Sequence, residues 1–367
     1  MALLEINIPC YNEEATLPSL IAALRQQTFS DFSVIFHDNG STDGTADICR
    51  DAVATDPRFT LNQIPLNTNA FQQAKRFRFG CKAEYVAFRS ANDLLANTYF
   101  EEALNILQSN EAVGLVYNHG LIVDDDGNVI DEAPLDFAFD TRGLGRLDGA
   151  IQVMSRYTYS FALWGVYRRS VLEKCSSHSF PYGGDHIWVC EMALYGDIAN
   201  SPGRLDLRRE DTQPQKLASG IPTDSTYYAI TQSEEMLRGV PENSFFESQV
   251  HRLPFTNMLW GHLEMFSLAL IPEVEKVMLC KAAGEIFDAR FGMFIDREIA
   301  GFIQRQSAVL EIQEKEPREF PRESMLFWVG KVRREIDKIR LTRRGDLSHL
   351  DGLDNRLRAF ARKVNGA

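Results

Sequence analysis

Three acids stand where a carboxylate can do chemistry: Asp38 in HDNGSTDGT, Asp93 in RSANDLL and Asp185 in PYGGDHIW. Asp38 closes the apolar run FSVIFHD. Facing a base-sized cleft there, it could accept a hydrogen bond from an imide N–H such as that of uracil or thymine. Gly40 permits a tight turn after it, Ser41 or Thr42 can cap, and Thr45 opens a helix whose free N–H groups favour anions. The same residues are ordinary turn vocabulary, so capping alone is the competing use. Asp93, with Asn92 beside it, follows the run YVAF. A carboxylate and an amide oxygen at a strand end can hold Mg2+ or Mn2+ when water and diphosphate oxygens complete the shell; the alternative is a cap or a lone turn residue. Asp185 follows Gly183 and Gly184 at the head of the helix-like IWVCEMAL. It is either a helix N-cap or a general base for an incoming hydroxyl. His186 reads as an orienting or surface residue, because no second His sits at metal-ligand spacing.

A parallel α/β sheet would bring these acids together. From Leu3 to about residue 118, apolar runs (LLEINI, FSVIFHD, RFTLNQI, YVAFRS, VGLVYN) alternate with helix-like segments at 14–27, 45–54, 69–79 and 97–108. That alternation predicts a mostly parallel sheet with helices on both faces, whose ligands sit beyond the carboxyl ends of the strands. A fourth unusual loop, IPCYNEE, ends the first strand in a stiff proline, an aromatic platform and an amide. Residues 119–133 read as a hairpin. Its Asp124, Asp125 and Asp126 form a solvated turn, since the spaced ligands of an EF-hand are missing. A helix through Met154, a strand at ALWGVY and a short helix VLEKC follow. Beyond about residue 215 the strand signals stop and proline-punctuated helices take over, so a boundary is placed there, between domains 1–215 and 216–367.

The formal net charge of -12 in 367 residues excludes general nucleic-acid binding, which needs an excess of Lys and Arg. Six dispersed cysteines without a Cys-x-x-Cys pair read as reduced thiols. MALLEINIP reads as a first strand and not a signal peptide, and Phe255–Ile271 is too short and polar to span a bilayer. A cytoplasmic location is expected.

IPCYNEEATLPSLIAALRQQTF followed by FSVIFHDNGSTDGT resembles the start of the family 2 glycosyltransferases. The likeness continues in order through NTNAFQQAKRFRFGCKAEYVAFRSANDLL, LVYNHGLIVDDDGNVI, ALWGVYRRSVL and YGGDHIWVCEMALYGDIA, over roughly the first two hundred residues. The resemblance implies a GT-A fold, Rossmann-like, with an α-helical C-terminal region, and a nucleotide-diphosphate sugar as donor. It puts Pro9, Tyr11, Asn12 and Glu13 at the nucleotide, Asp38 on the base with Asp43 shaping the loop, and Asn92 toward the ribose or diphosphate. It makes Asp93 the ligand of Mn2+ or Mg2+ and Asp185 the catalytic base of an inverting transfer to a saccharide or lipid-linked acceptor. Surface polysaccharide synthesis is the implied setting.

The chain departs from the family where Asp-x-Asp-Asp is common: Ser90, Ala91, Asn92 and Asp93 keep one acid of three. In LDLRREDTQPQ, Arg208 or Arg209 could serve the diphosphate, Glu210 stands where a His is expected, and a solvated charge cluster is the other reading. A non-catalytic sugar-nucleotide-binding or assembly subunit therefore stands as the alternative function. A nucleotidyltransferase would want a Gly-rich basic phosphate loop, which is missing. In the C-terminal part, KVRREIDKIRLTRRG carries seven Lys or Arg around Val332, Ile336 and Ile339. That pattern is compatible with an anionic membrane surface or a partner helix, or with a solvated helix whose apolar stripe faces its neighbours. PFTNMLWGHLEMFSLALIP is compatible with a homodimer core.

Overall fold

Leu4, Ile6 and Ile8 are fully buried, as are Val34 and Phe36 on the next strand, because a sheet covered on both faces demands continuous apolar runs. The computed structural model describes residues 2–64, 80–124, 126–132, 137–157, 160–176, 183–209, 253–315, 322–342 and 347–366. The main sheet is built from β1 (Leu4–Cys10), β2 (Phe32–Asp38), β3 (Phe59–Gln63), β4 (Tyr85–Phe88), β6 (Val113–Asn118), β9 (Val166–Arg168) and β10 (Asp197–Ser201). Its order is β10-β6-β9-β4-β1-β2-β3. All neighbours run parallel except β9, which is antiparallel to both β4 and β6. Register aligns Pro9 with His37, Cys10 with Asp38 and Asp38 with Gln63, so the first two loops leave the sheet at one level.

A second, four-stranded sheet joins β5 (Leu94–Leu95), β11 (Asp206–Arg209), β7 (Leu121–Val123) and β8 (Val129–Glu132) in that order. The expected hairpin is β7 and β8, and Asp124 is spent on its turn, accepting the Asn128 N–H at 2.8 Å. A Cβ on Gly120 would lie 1.9 Å from the Asp206 carbonyl oxygen, so only glycine lets β11 lie against β7.

Several expectations shift. The first helix begins at Leu17, not Glu14, because Glu13 and Glu14 are committed to loop contacts described below. The strand at ALWGVY shrinks to Val166–Arg168 after a 3-10 turn at Ser160–Ala162. β10 and β11 were not foreseen: DIANS and DLRR are short and polar, and only pairing with β6, β5 and β7 makes them strands. The helix expected at 69–79 and the boundary near 215 lie outside the described residues.

Backbone proximity divides the chain into Met1–Gly239 with Met265–Leu279, and Val240–Glu264 with Cys280–Ala367. The C-terminal helices are Pro254–Leu268, Glu273–Lys315, Arg322–Thr342 and Ser348–Gly366. Val332, Ile336 and Ile339 are buried, while Arg333, Arg340 and Arg358 all meet Asp354. The apolar stripe therefore faces neighbouring helices, as the solvated-helix reading expects. Among the described residues, no helix is long and apolar enough to cross a membrane.

The two sheets are tied by a buried ion pair. Arg89, just past β4, donates from both terminal nitrogens to Asp206 of β11 at 2.9 Å each, and also to the Trp164 carbonyl at 2.8 Å. Its guanidinium lies 4.9 Å from the Tyr99 ring centroid. Both side chains are essentially sealed from water, at 0% and 2% exposure. Asp206→Asn strands a buried charge and should cost about 3–5 kcal/mol in urea unfolding, whereas Arg89→Met with Asp206→Leu should recover most of it.

His37 sits between Asn7 Oδ1, 2.8 Å from its Nε2, and Asn62 Nδ2, 3.2 Å from its Nδ1. That setting suits a neutral ring with the proton on Nε2. Burial pushes its pKa from 6.5 down to about 4. A depressed folded-state value means that stability is complete above pH 6.5 and is lost as pH falls toward 4, by up to about 3 kcal/mol. His37→Gln should flatten that part of the acid dependence in denaturation measured between pH 7 and pH 4.5.

Candidate active site

The first loop is fastened to the second by exchanged side-chain and backbone hydrogen bonds. Asn12 N–H donates to Ser41 Oγ at 3.1 Å, and Asn12 Oδ1 accepts the Thr42 N–H at 2.8 Å. Glu13 N–H donates to Thr45 Oγ1 at 2.7 Å and Glu14 N–H to Asp43 Oδ2 at 3.2 Å. In return Glu14 accepts the Gly44 N–H at 2.7 Å, and Asp43 also accepts the Thr45 N–H at 3.0 Å. Asn12 takes a positive φ of 55° to make this fit, which asparagine tolerates better than most residues. The helix Thr45–Thr55 has Gly44 as its N-cap and no side-chain cap on that residue, so Asp43 serves in its place.

Of the residues expected at the nucleotide, Tyr11 is 38% exposed, an aromatic face left uncovered on this rim. Pro9 is half-buried beside it. Asn12 is occupied with Thr42, and Glu13 accepts the Thr16 hydroxyl at 2.8 Å. Burial raises the Glu13 carboxyl, with Arg209 acting in the opposite direction. Asp38 is fully buried: Oδ1 accepts the Ser41 N–H at 3.0 Å and Oδ2 the Gln63 amide at 3.2 Å.

The third loop meets the arginines of β11. Asp93 Oδ1 accepts the Arg209 N–H at 3.1 Å, and the Asn92 carbonyl accepts Arg209 Nη1 at 3.1 Å. Asn92 Oδ1 accepts the Ser90 hydroxyl. Arg208 and Arg209 are half-buried, and among the described residues Arg208 Nη1 and Arg209 Nε have no hydrogen-bond partner. This differs from a solvated charge cluster: β11 packs the pair against Asp93 and near Glu13 and leaves donors over. Glu210 lies outside the described residues.

Asp93 is buried, and burial lifts its pKa to about 6 although Arg208 pulls the other way. A carboxylate in that state is short of positive charge, and a divalent cation would supply it. Among the described residues, no three His, Cys, Asp or Glu side chains form a metal-binding group. The donor set therefore fits a cation that takes one carboxylate from the protein and most of its shell from a diphosphate and water.

Asp185 occupies the first turn of the helix Gly184–Met192, where its charge suits the dipole, but Gly183 is the N-cap, at φ 61°. The N-cap glycine has no side chain to cap with, and Asp185 lies two residues on in the first turn. Its Oδ2 accepts the Tyr157 hydroxyl at 3.2 Å, and Tyr157 meets His186 edge-on at 5.2 Å. Trp188 of the same helix packs on Phe88, the last residue of β4, at 5.3 Å, which sets this helix beside the stem of the third loop. Tyr157 and Gln63 were not singled out in the sequence; packing brings Tyr157 to Asp185 and register brings Gln63 to Asp38.

Residues 5–173 match the family described as Glycosyl transferase family 2. An uncharacterized glycosyltransferase of Haemophilus influenzae is 30% identical over 120 residues, covering 33% of this chain and 47% of that protein. The undecaprenyl-phosphate 4-deoxy-4-formamido-L-arabinose transferase of Aeromonas hydrophila is 40% identical over 75 residues, covering 20% of this chain and 23% of that protein. The match thus spans less than half the length of either relative. Among solved structures, S. aureus TarS 1-349 aligns at 15% identity and TM-score 0.48, over 79% of this chain and 91% of that one. The main sheet is mostly parallel, as the sequence predicts, and carries a small companion sheet. Over residues 5–173, a little under half of its length, this chain is similar to the family 2 glycosyltransferases.

Proposed function

We propose that this chain is an inverting glycosyltransferase that moves a sugar from a UDP or dTDP donor to a hydroxyl of a saccharide or lipid-linked acceptor. The observation that carries it is Asp185: an acid at a helix head, hydrogen-bonded by Tyr157 and set on the helix that packs beside the third loop. Tyr11 and Pro9 offer a platform for the base, and the fastened loops around Asn12, Glu13 and Asp38 give that platform a fixed shape. Arg208, with its leftover donor, and Asn92 would face the diphosphate. Mn2+ or Mg2+, held by Asp93 and the diphosphate, would offset charge on the leaving group.

In the transfer, Asp185 takes the proton of the acceptor hydroxyl. The oxygen then forms its bond to the anomeric carbon from the face opposite the nucleotide, while the bond from that carbon to the diphosphate oxygen breaks. One displacement inverts the configuration. The fold's share is alignment of base, acceptor and donor. A lipid-linked acceptor is supported by the name of the Aeromonas relative, an undecaprenyl-phosphate transferase; with such an acceptor the chain would act in surface polysaccharide synthesis at the inner face of the membrane. A second reading, a sugar-nucleotide-binding subunit without turnover, is favoured by one observation: Ser90, Ala91 and Asn92 leave a single acid in the third loop.

With a panel of UDP- and dTDP-sugars in Mn2+, nucleotide release should fall about 10²- to 10⁴-fold in Asp185→Asn while donor affinity holds. Wild-type rates in that variant would remove the base, and donor binding without release in the wild type would select the second reading. In calorimetry, Mn2+ should tighten UDP binding to the wild type and fail to do so in Asp93→Asn.

A further inference from the structure

The turn from the helix Pro254–Leu268 into the helix Glu273–Lys315 has its polarity reversed. Several of its polar groups are turned inward. Arg146 Nη1 meets Glu275 at 2.7 Å, Lys276 Nζ donates to the Ser267 carbonyl at 3.1 Å, and the Tyr195 hydroxyl accepts the Leu270 N–H at 3.1 Å. Leu268, Leu270, Val274, Val277 and Met278 are left outside, each between 48% and 86% exposed, while Ala269 and Ile271 are buried. Apolar side chains gathered on a turn that polar contacts hold in shape mark a surface made for a partner. The preceding stretch PFTNMLWGHLEMF has no such surplus: Phe255, Met258, Leu259, Met265 and Phe266 are all buried within the chain.

Charge decides which partner fits. Glu273 and Lys281 stand four residues before and four residues after Val277, so all three share one face of the helix. Both charged side chains are open to water, and their ion pairs, Glu273 with Lys276 at 2.8 Å and Lys281 with Glu285 at 3.9 Å, stay within the same helix. Acid, valine and base at this spacing are self-complementary. Two copies laid antiparallel about Val277 put Glu273 of each opposite Lys281 of the other, the pairing a two-fold axis generates. An anionic bilayer fits worse, because Glu273 stands exposed between Leu270 and Val274 and the cations of the turn are each matched by an acid.

We propose that this face is the interface of a homodimer in which the first turns of the helix Glu273–Lys315 pack antiparallel against those of a second copy. The proposal is independent of the reading of the rim as a nucleotide site. The two copies bury the exposed leucines and valines against each other, and the charges on either side of Val277 set the direction of the pair.

Sedimentation equilibrium of the full chain tests this. The wild type should be a dimer at micromolar concentration, and Val277→Glu should raise the dissociation constant about 100-fold or more by placing two like charges at the two-fold axis. Because Val277 is exposed, the circular dichroism of that variant should match the wild type. Lys281→Glu should weaken the dimer about tenfold, and adding Glu273→Lys to it should restore the wild-type constant. A wild type that stays monomeric, a dimer that Val277→Glu leaves intact, or a double reversal no tighter than Lys281→Glu alone overturns the proposal. A monomer that floats with vesicles of phosphatidylglycerol and phosphatidylethanolamine, and loses them in Val277→Glu, also overturns it and gives the face to the membrane.

Discussion

The lacing between the loops after β1 and β2 is the constraint on which the rest of the site depends. Parallel strands fix where their chains leave a sheet but not the path of the chain beyond it, and loops with free backbone N–H groups would otherwise be solvated and mobile. Here the N–H groups of residues 12, 13 and 14 are taken by Ser41, Thr45 and Asp43, and those of Thr42 and Gly44 by Asn12 and Glu14. Asn12 and Glu14 on one loop, and Ser41, Asp43 and Thr45 on the other, thus answer backbone groups of the opposite loop. Tyr11, left out of the exchange, is the residue the rest holds in place.

Charge is balanced at the third loop by a similar division of labour. Asp206 satisfies the buried Arg89, so the cation at the end of β4 is not available to Asp93. Arg208 and Arg209 face Asp93 instead, and their spare donors are suited to a phosphate.

Much of this was legible in the chain. Continuous apolar runs such as LLEINI and VGLVYN can only be strands buried on both faces, and loops rich in Asn, Asp, Ser and Gly after them mark the ligand rim. Asp38, Asp93 and Asp185 stood out because each breaks an apolar or glycine-rich context. What stayed hidden depends on partners distant in sequence. DIANS and DLRR have no strand signal of their own, and Arg208 looked like a surface charge until β11 was placed against β5 and β7. Gln63 ends a strand with no local mark of its own, and only register brings its amide to Asp38. Tyr157 is a C-cap residue whose hydroxyl reaches Asp185 only because two helices pack together.

The reversed strand β9 bears on how the molecule is made. β6 has no neighbours but β9 and β10, so nothing joins it to the β3-β2-β1-β4 half until Val166–Arg168 has been synthesised. A ribosome can release four strands able to pair among themselves long before the remaining three can close onto them, and closure over such sequence separation is slow. The half that assembles early carries the loops after β1, β2 and β4. Tyr157 and Asp185 come together only later, and β11 with its two arginines is made after both.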